Sequence, residues 1–489
     1  MTLAQVFAFT KARATINTYM ILKKILCLLV YISLTAIIYS YIVSDGTMNL
    51  KACELFGCTF TSMWDSLKVG RYDILPSCIG FEGFVRDGKT YTYFGTFPAL
   101  FRGFIEIFFR RGNTDWSRIS IIVSAIISCL FLILSYIKVI GELRLNQFVE
   151  KFYIFLFGIT ISFGSPIMLL LSRAYIYHES IMWGLAWVSC FVYFFVRFIK
   201  SHELNPFHFF CMSVACGFAL LSRIISAIGP ALTLAVVLIF IFIKSIFYTA
   251  KFTRFLTTWF HWSRNKINNK ELLIILLCGL VPFLLCFTFV LKVNYGKWGN
   301  PFTTFPIQYY LSRPKEIKPH EGLIELHRLP AAFFYYFIPN KTQISTRFPF
   351  VDISIYDYKH IPIVKDYKGW REPGNSYPVH SPYLFLTSII GLVYLVQAYT
   401  RFGLILVISI LVNALIVMSH PALTLRYAAD ILPFIAVCSI ASVYTLNKVN
   451  NLNIKNHLND MMASLLITLL GIYCAVSTML QMKIFTHLL

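Results

Sequence analysis

Charge is what this sequence has least of. Asp, Glu, Lys and Arg make up 13% of its 489 residues, against 57% hydrophobic ones, where a soluble domain carries about a quarter charged residues. That balance excludes a soluble enzyme and reads as an integral membrane protein. Acid is scarcer than base: 22 Asp and Glu stand against 43 Lys and Arg, a formal charge of +21. The basic residues are spread over many links, and there is no soluble domain to hold a groove, so nucleic acid is not an expected partner. Anionic lipid head groups and lipid phosphates are. No CxxC and no His/Cys cluster argues for a metal, so no cofactor is expected and a divalent ion would lack a ligand motif. No fixed-period repeat is visible, which counts against transporters built from inverted halves.

What the chain does have is long apolar runs. Windows of about 18–22 apolar residues, enough to cross a hydrocarbon core, fall at 25–43, 119–140, 153–171, 181–198, 208–223, 228–246, 272–292, 383–400, 402–419, 427–446 and 461–482. The expected fold is therefore an all-α polytopic membrane protein of about eleven transmembrane helices. No polar cleavage region follows the first run, so residues 1–24 are expected to be a cytoplasmic tail leading into a retained helix. Lys11, Arg13, Lys23, Lys24, Arg144, Lys151, Lys200, Lys251, Arg254, Arg264, Lys266 and Lys270 fall on one side of that arrangement. Short basic links resist translocation, which puts the N-terminus in the cytoplasm; a label at residue 260 is then expected to react from the cytoplasm and one at 345 from outside.

Two segments are too long and polar to be connectors: 44–118, within a transmembrane module of 25–292, and 293–382, ahead of the C-terminal helices of 383–489. Both land outside. The second, with "RLPAAFFYYFIPNKTQISTRFPF", reads as an ordered, partly apolar cap. The first holds Cys53, Cys58 and Cys78, where a bridge such as Cys53–Cys58 is compatible with an oxidising compartment but not fixed by spacing. In "RDGKTYTYF" the Asp-Gly pair predicts a turn, followed by a short hairpin or extended piece. "FGTFPALFRGFIEIFF" then reads as a helix lying in the membrane interface.

Arg173, His178, Glu179, Arg223, Arg426 and Asp430 all fall at outer helix ends or short outer links. A charge near the bilayer is costly unless it is paired or lines a wet cavity, so such residues are functional candidates by default. Snorkelling, or for His178 and Glu179 pairing with Arg173, is the structural alternative. In the first loop, Asp65 and Asp87 read as caps or turns. Asp73 and Glu82 sit among apolar residues ("RYDILP", "IGFEGF"), where poor hydration makes a carboxylate a better base.

The stretches "EGFVRDGKTYTYFGTFPALFR", "YIYHES", "GFALLSR", "NYGKWGNPF" and "LRYAAD" together resemble the GT-C superfamily of polytopic membrane glycosyltransferases, whose bacterial members use a polyprenyl-phosphate sugar. The resemblance implies a GT-C-like bundle in a bacterial inner membrane with an extracytoplasmic active site. It also implies a polyprenyl-phosphate sugar donor and an acceptor that is a lipid-linked glycan, O-antigen polysaccharide or lipopolysaccharide. In that superfamily the base is an acid of the first outer loop, which carries over to Asp73 or Glu82, with Asp73 preferred. No Asp-X-Asp or Glu-X-Asp pair stands in this loop, so the pattern does not choose between the two. The same resemblance makes Arg173, Arg223 and Arg426 phosphate clamps and His178, Glu179, Asp430 and Tyr93 substrate-binding residues. A lipid-linked glycan polymerase or ligase would use similar parts, whereas a lipid-linked oligosaccharide flippase would carry charges near mid-membrane rather than under the outer loops.

Overall fold

The computed structural model describes the chain except residues 1–25, 110–114, 144, 202–203, 247–267, 313–323, 340–342, 345, 347–350, 353–363, 365–366, 368–369, 399–400, 450–453 and 488–489. Positions 260 and 345, with the basic residues at 11, 13, 23, 24, 144, 251, 254, 264 and 266, lie outside the described residues. The protein is an all-α polytopic membrane protein. Eight described helices are long and apolar enough to cross a bilayer. They include α1 (Leu26–Val43), and three shorter apolar helices stand where the other runs were read.

After α1, the first loop opens with α2 (Thr59–Lys68) and continues through the hairpin of β1 (Phe84–Arg86) and β2 (Lys89–Tyr91) to α3 (Phe97–Phe108). The bundle then follows as α4 (Ser117–Ile140), α5 (Gln147–Phe163), α6 (Ile176–Ser201), α7 (Pro206–Ser222), α8 (Ile224–Ile246) and α9 (Asn269–Trp298). The second loop carries α10 (Leu329–Phe337), the short pair β3 (Gln343–Ile344) and β4 (Val351–Asp352), and β5 (Trp370–Arg371). Helices α11 (Pro382–Gln397) and α12 (Arg401–Met418), strand β6 (Ala422–Leu423), and helices α13 (Ala428–Val449) and α14 (Ile454–His487) complete the chain. Strand β6 runs parallel to β5, which ties the link after α12 to the second loop.

Within a bilayer helices gain little from leaving lipid, so association rests on close packing, and small residues set the approach. A Cβ at Gly391 would lie 1.7 Å from the Cys438 carbonyl oxygen; only glycine lets α11 press on α13 there. Helices α4 and α6 form another long contact, tied where the buried Trp183 of α6 donates its indole N–H to Ser120 Oγ of α4 at 2.8 Å.

In the first loop, Asp87 and Gly88 both take positive φ, 51° and 72°, the two-residue turn that Asp-Gly favours because its twist matches that of the strands. The bridge in this loop joins Cys58 to Cys78 across 20 residues, and Cys53 is free. That replaces the Cys53–Cys58 pairing: Cys78 is brought to the start of α2 by the turn Pro76–Ile79, whose carbonyl at Cys78 accepts from Thr59 Oγ1 at 2.7 Å. Helix α3 buries Phe97, Ala99, Arg102 and Ile105 and exposes Phe104, Ile107 and Phe108, the one-sided apolar face expected of an interface helix.

Two boundaries differ from the hydropathy reading. The expected link 172–180 shortens, because α6 already begins at Ile176, so that His178 and Glu179 stand in its first turn. The run ending at 292 continues as helix to Trp298 and closes at Gly299. Hydropathy weakens there through Asn294, Gly296 and Lys297, but nothing in the backbone breaks the helix before glycine does.

Candidate functional site

Where the first loop meets the helix ends, a cavity of about 290 Å³ lies between residues 93–96, the first turn of α6, the α7–α8 junction, the end of α9 and the link after α12. Gly95 makes the closure: a Cβ there would lie 2.2 Å from the carbonyl oxygens of Leu221 and Ser222, so only glycine seats the loop on the end of α7.

The wall is of two kinds. Val293, Ile416 and Leu220 line it about one helical turn before Lys297, His420 and Arg223 on the same chain segments. One turn is about 5.4 Å along the axis, so basic and polar groups ring the helix ends while aliphatic side chains wall the deeper part.

Lys297 has only a neutral hydrogen-bond partner. The residue is 3% exposed and its ammonium donates to the Thr92 carbonyl at 2.8 Å; among the described residues no carboxylate pairs with it. A buried cation so placed is costly until an anion arrives. Arg223 reaches Asp430 at 3.3 Å and stands 5.0 Å over the Tyr427 ring. Arg426 reaches Glu372 at 3.4 Å and lies over Tyr177 at 4.5 Å and Tyr427 at 5.6 Å. Tyr427 thus carries two guanidinium groups. Tyr93 lines the cavity, stacked on Phe94 at 4.3 Å and edge-on to Phe305 at 4.8 Å. Burial holds its phenol well above the usual tyrosine range, so it stays a neutral donor.

Glu82 is buried at the junction of the two loops. Tyr310 donates to its Oε2 at 2.6 Å, and Tyr177, which lines the cavity, lies beside the same carboxylate. The second loop fixes this arrangement from behind: Leu311 N–H donates to the Gly83 carbonyl at 3.0 Å and Ser312 Oγ to the Phe81 carbonyl at 2.7 Å.

The remaining candidates divide. Asp73 is paired with its neighbour Arg71 at 3.7 Å and does not line the cavity. Arg173 folds onto Tyr175, with its guanidinium 5.2 Å over the ring. His178 Nδ1 is spent on the Leu170 and Arg173 carbonyls at 3.0 and 2.9 Å. Glu179 is fully buried and paired with Arg102 at 2.7 Å, not with Arg173. Of the sequence candidates, Tyr93 and Arg223 line the cavity; Asp430, Arg426 and Glu82 touch lining residues (Arg223, Tyr177 with Tyr427, and Tyr177) without lining it themselves, and Asp73, Arg173, His178 and Glu179 are not on its wall either. Sequence reading passed over Lys297 and His420. The first lay in a stretch assigned to a loop; the second carried no signal beyond its residue type. Among the described residues no three His, Cys, Asp or Glu side chains gather as a metal set.

No protein-family model and no curated protein matches the chain. Its fold is similar to that of the Archaeoglobus fulgidus oligosaccharyltransferase in its apo form, at a TM-score of 0.49 and 12% identity over 93% of this chain and 56% of that one. A complex of the same organism's AglB with an inhibitory peptide and a dolichol-phosphate gives 0.48 and 13% over 94% and 56%, and a form with Zn and sulfate gives 0.49 and 11% over 92% and 53%. The chain spans little more than half the length of these proteins.

Proposed function

We propose that this chain is a membrane glycosyltransferase that holds a polyprenyl-phosphate sugar in the cavity and passes the sugar to a lipid-linked glycan or lipopolysaccharide acceptor on the extracytoplasmic face of a bacterial inner membrane. The observation that carries this is the buried ammonium of Lys297, with no carboxylate partner among the described residues, above an aliphatic wall: a fixed cation for a phosphate and an apolar surface for the chain attached to it. Arg223 adds a guanidinium fork, suited to phosphate oxygens and never deprotonated. Thr96 Oγ1, Ser180 Oγ and Trp298 Nε1 are buried without a partner among the described residues, and all three residues line the cavity.

In the transfer the acceptor oxygen bonds to the anomeric carbon while the bond from that carbon to the phosphate oxygen breaks, through an oxocarbenium-like transition state. The electron pair leaves on the phosphate, whose growing charge Lys297 and Arg223 offset. The acceptor proton goes to a carboxylate. Of the two first-loop acids, geometry favours Glu82, held by Tyr310 beside the cavity residue Tyr177, over Asp73, which is engaged by Arg71. Charge gathered at one end of the bundle, under both loops, supports an enzyme over a flippase.

The test is transfer by the purified chain in lipid nanodiscs from a panel of polyprenyl-phosphate sugars. Glu82→Gln should lose about 10²–10⁴-fold in rate, the usual cost of removing a general base, and keep donor binding; Asp73→Asn should lose far less. Full activity in Glu82→Gln with an inactive Asp73→Asn would reverse the assignment. A folded wild-type chain that binds no polyprenyl phosphate would end the reading.

A further inference from the structure

His420 lies on the cavity wall, in the link between α12 and the turn Leu425–Tyr427, and the transfer chemistry above gives it no part. Its ring is fixed in orientation and in tautomer. The Ala422 N–H donates to Nδ1 at 3.1 Å, so that nitrogen carries a lone pair and the proton of the neutral ring sits on Nε2. Ala422 is itself held by the parallel pairing of β6 with β5, and Tyr427 meets the imidazole edge-on at 5.2 Å. Among the described residues Nε2 has no hydrogen-bond partner. Burial, then the guanidinium groups of Arg223, Arg426 and Arg328, push the pKa down to about 3, so the ring is uncharged at neutral pH. A neutral imidazole with its proton on Nε2 and its lone pair turned to the backbone is no base toward a ligand; it is a donor.

We propose that His420 is a binding residue for phosphate on a lipid carrier, its neutral Nε2–H donating to a phosphate oxygen while Lys297 and Arg223 supply the charge. The inference rests on the lipid-phosphate reading of the cavity and adds a recognition element to it. The division of labour is chemically sensible: a fixed neutral N–H adds a directed hydrogen bond to an anion without a third full charge, and it leaves the bound phosphate free to depart once the sugar has moved.

The two ring nitrogens can be separated by amide substitution. His420→Gln places an N–H donor near the Nε2 position; His420→Asn keeps polar atoms near Nδ1 only. Binding of undecaprenyl phosphate to the full-length chain in nanodiscs is the measurement. The Gln variant should stay within about threefold of wild type, and the Asn variant should bind about tenfold more weakly, as expected for one hydrogen bond to a charged acceptor. The wild-type to Asn ratio should be constant from pH 5 to 8, since the phosphate, Lys297, Arg223, Arg426, Arg328 and Tyr427 are common to both proteins and cancel. Equal binding by all three proteins, or a ratio that turns over near pH 6.5, overturns the proposal. Inorganic phosphate at the same concentration should not displace the lipid; equal displacement would make free phosphate the ligand and overturn the carrier assignment. If the Asn variant does not fold, the ¹⁵N signal of His420 in wild type decides. A protonated Nε2 that shifts on adding undecaprenyl phosphate supports the proposal, and an unmoved one overturns it. Absence of undecaprenyl phosphate binding by folded wild type would instead remove the function reading itself.

Discussion

Two buried ion pairs sit at the same end of this bundle, and they differ in what surrounds them. Arg102 and Glu179 are 2.7 Å apart with side chains 2% and 0% exposed, sealed between the first-loop helix α3 and the first turn of α6. Arg223 and Asp430 are 3.3 Å apart; the aspartate side chain is buried, but the arginine side chain is 19% exposed and the residue lines the cavity. The first pair is closed off from any cavity, its charges met by each other and by the hydroxyls of Ser117 and Ser120. The second leaves part of an arginine facing a space that a ligand can fill. Both pairs set an arginine against an acid in the first turn of a helix, so what separates a clasp from a binding group is the empty volume beside it.

The largest effect should come from breaking the sealed pair. Removing one partner of a buried ion pair strands the other, at a cost of about 3–5 kcal/mol, so Arg102→Ala should lower the thermal inactivation midpoint sharply and loosen α3 from the bundle. An apolar replacement of both partners, Arg102→Leu with Glu179→Leu, should recover most of that loss. If Arg102→Ala is as stable as wild type, α3 is not held to the bundle in this way.

Changes at the open site should reverse the pattern, sparing stability and losing ligand. Lys297→Met removes a buried ammonium with no carboxylate partner among the described residues, which relieves an uncompensated charge, and should leave the inactivation midpoint unchanged or raised while weakening undecaprenyl phosphate binding about tenfold or more. Arg223→Lys keeps the charge but loses the fork that binds two oxygens at once. It should fall between wild type and Arg223→Ala in donor affinity. Equal affinity in the Lys and Ala variants would mean that Arg223 serves Asp430 alone.

The contrast also explains what was legible in the sequence. Hydropathy found the spans because lipid demands a long apolar run whatever the partners, and Asp-Gly gave the hairpin because its turn depends on local backbone geometry alone. The arginines at 223 and 426 stood out as charges at apolar helix ends. Contacts between distant residues were not readable: Arg102 meets Glu179 across 77 positions, and Cys58 meets Cys78 rather than the nearer Cys53 only because Pro76–Ile79 folds back on α2. Lys297 was hidden because helix α9 outlasts its own hydropathy by a turn and a half. Between Asp73 and Glu82, local composition was nearly equal, and the contact from Tyr310 of the second loop to Glu82 lies 228 positions away, beyond the reach of sequence reading.

The smallest effect concerns pH, and it sets a sealed histidine against the open one. His380 is 1% exposed, with Nδ1 2.8 Å from Ser381 Oγ and Nε2 without a partner among the described residues; burial pushes its pKa down to about 3, as it does, with the arginines, for His420. In the unfolded chain a histidine titrates near 6.5. Between about pH 6.5 and 3 the unfolded state therefore binds protons that the folded state refuses, and stability is lost as pH falls through that window and is fully present above it. Each histidine contributes a slope of order 1 kcal/mol per pH unit at most. Thermal inactivation midpoints measured from pH 7.5 down to 5 should fall, and His380→Asn should flatten part of that fall while leaving the affinity for undecaprenyl phosphate untouched. His420→Gln should flatten a similar part. An acid slope unchanged in His380→Asn would mean that His380 is not held neutral by burial, and a loss of undecaprenyl phosphate affinity in that variant would mean that the sealed and open sites do not differ in the way their surroundings require.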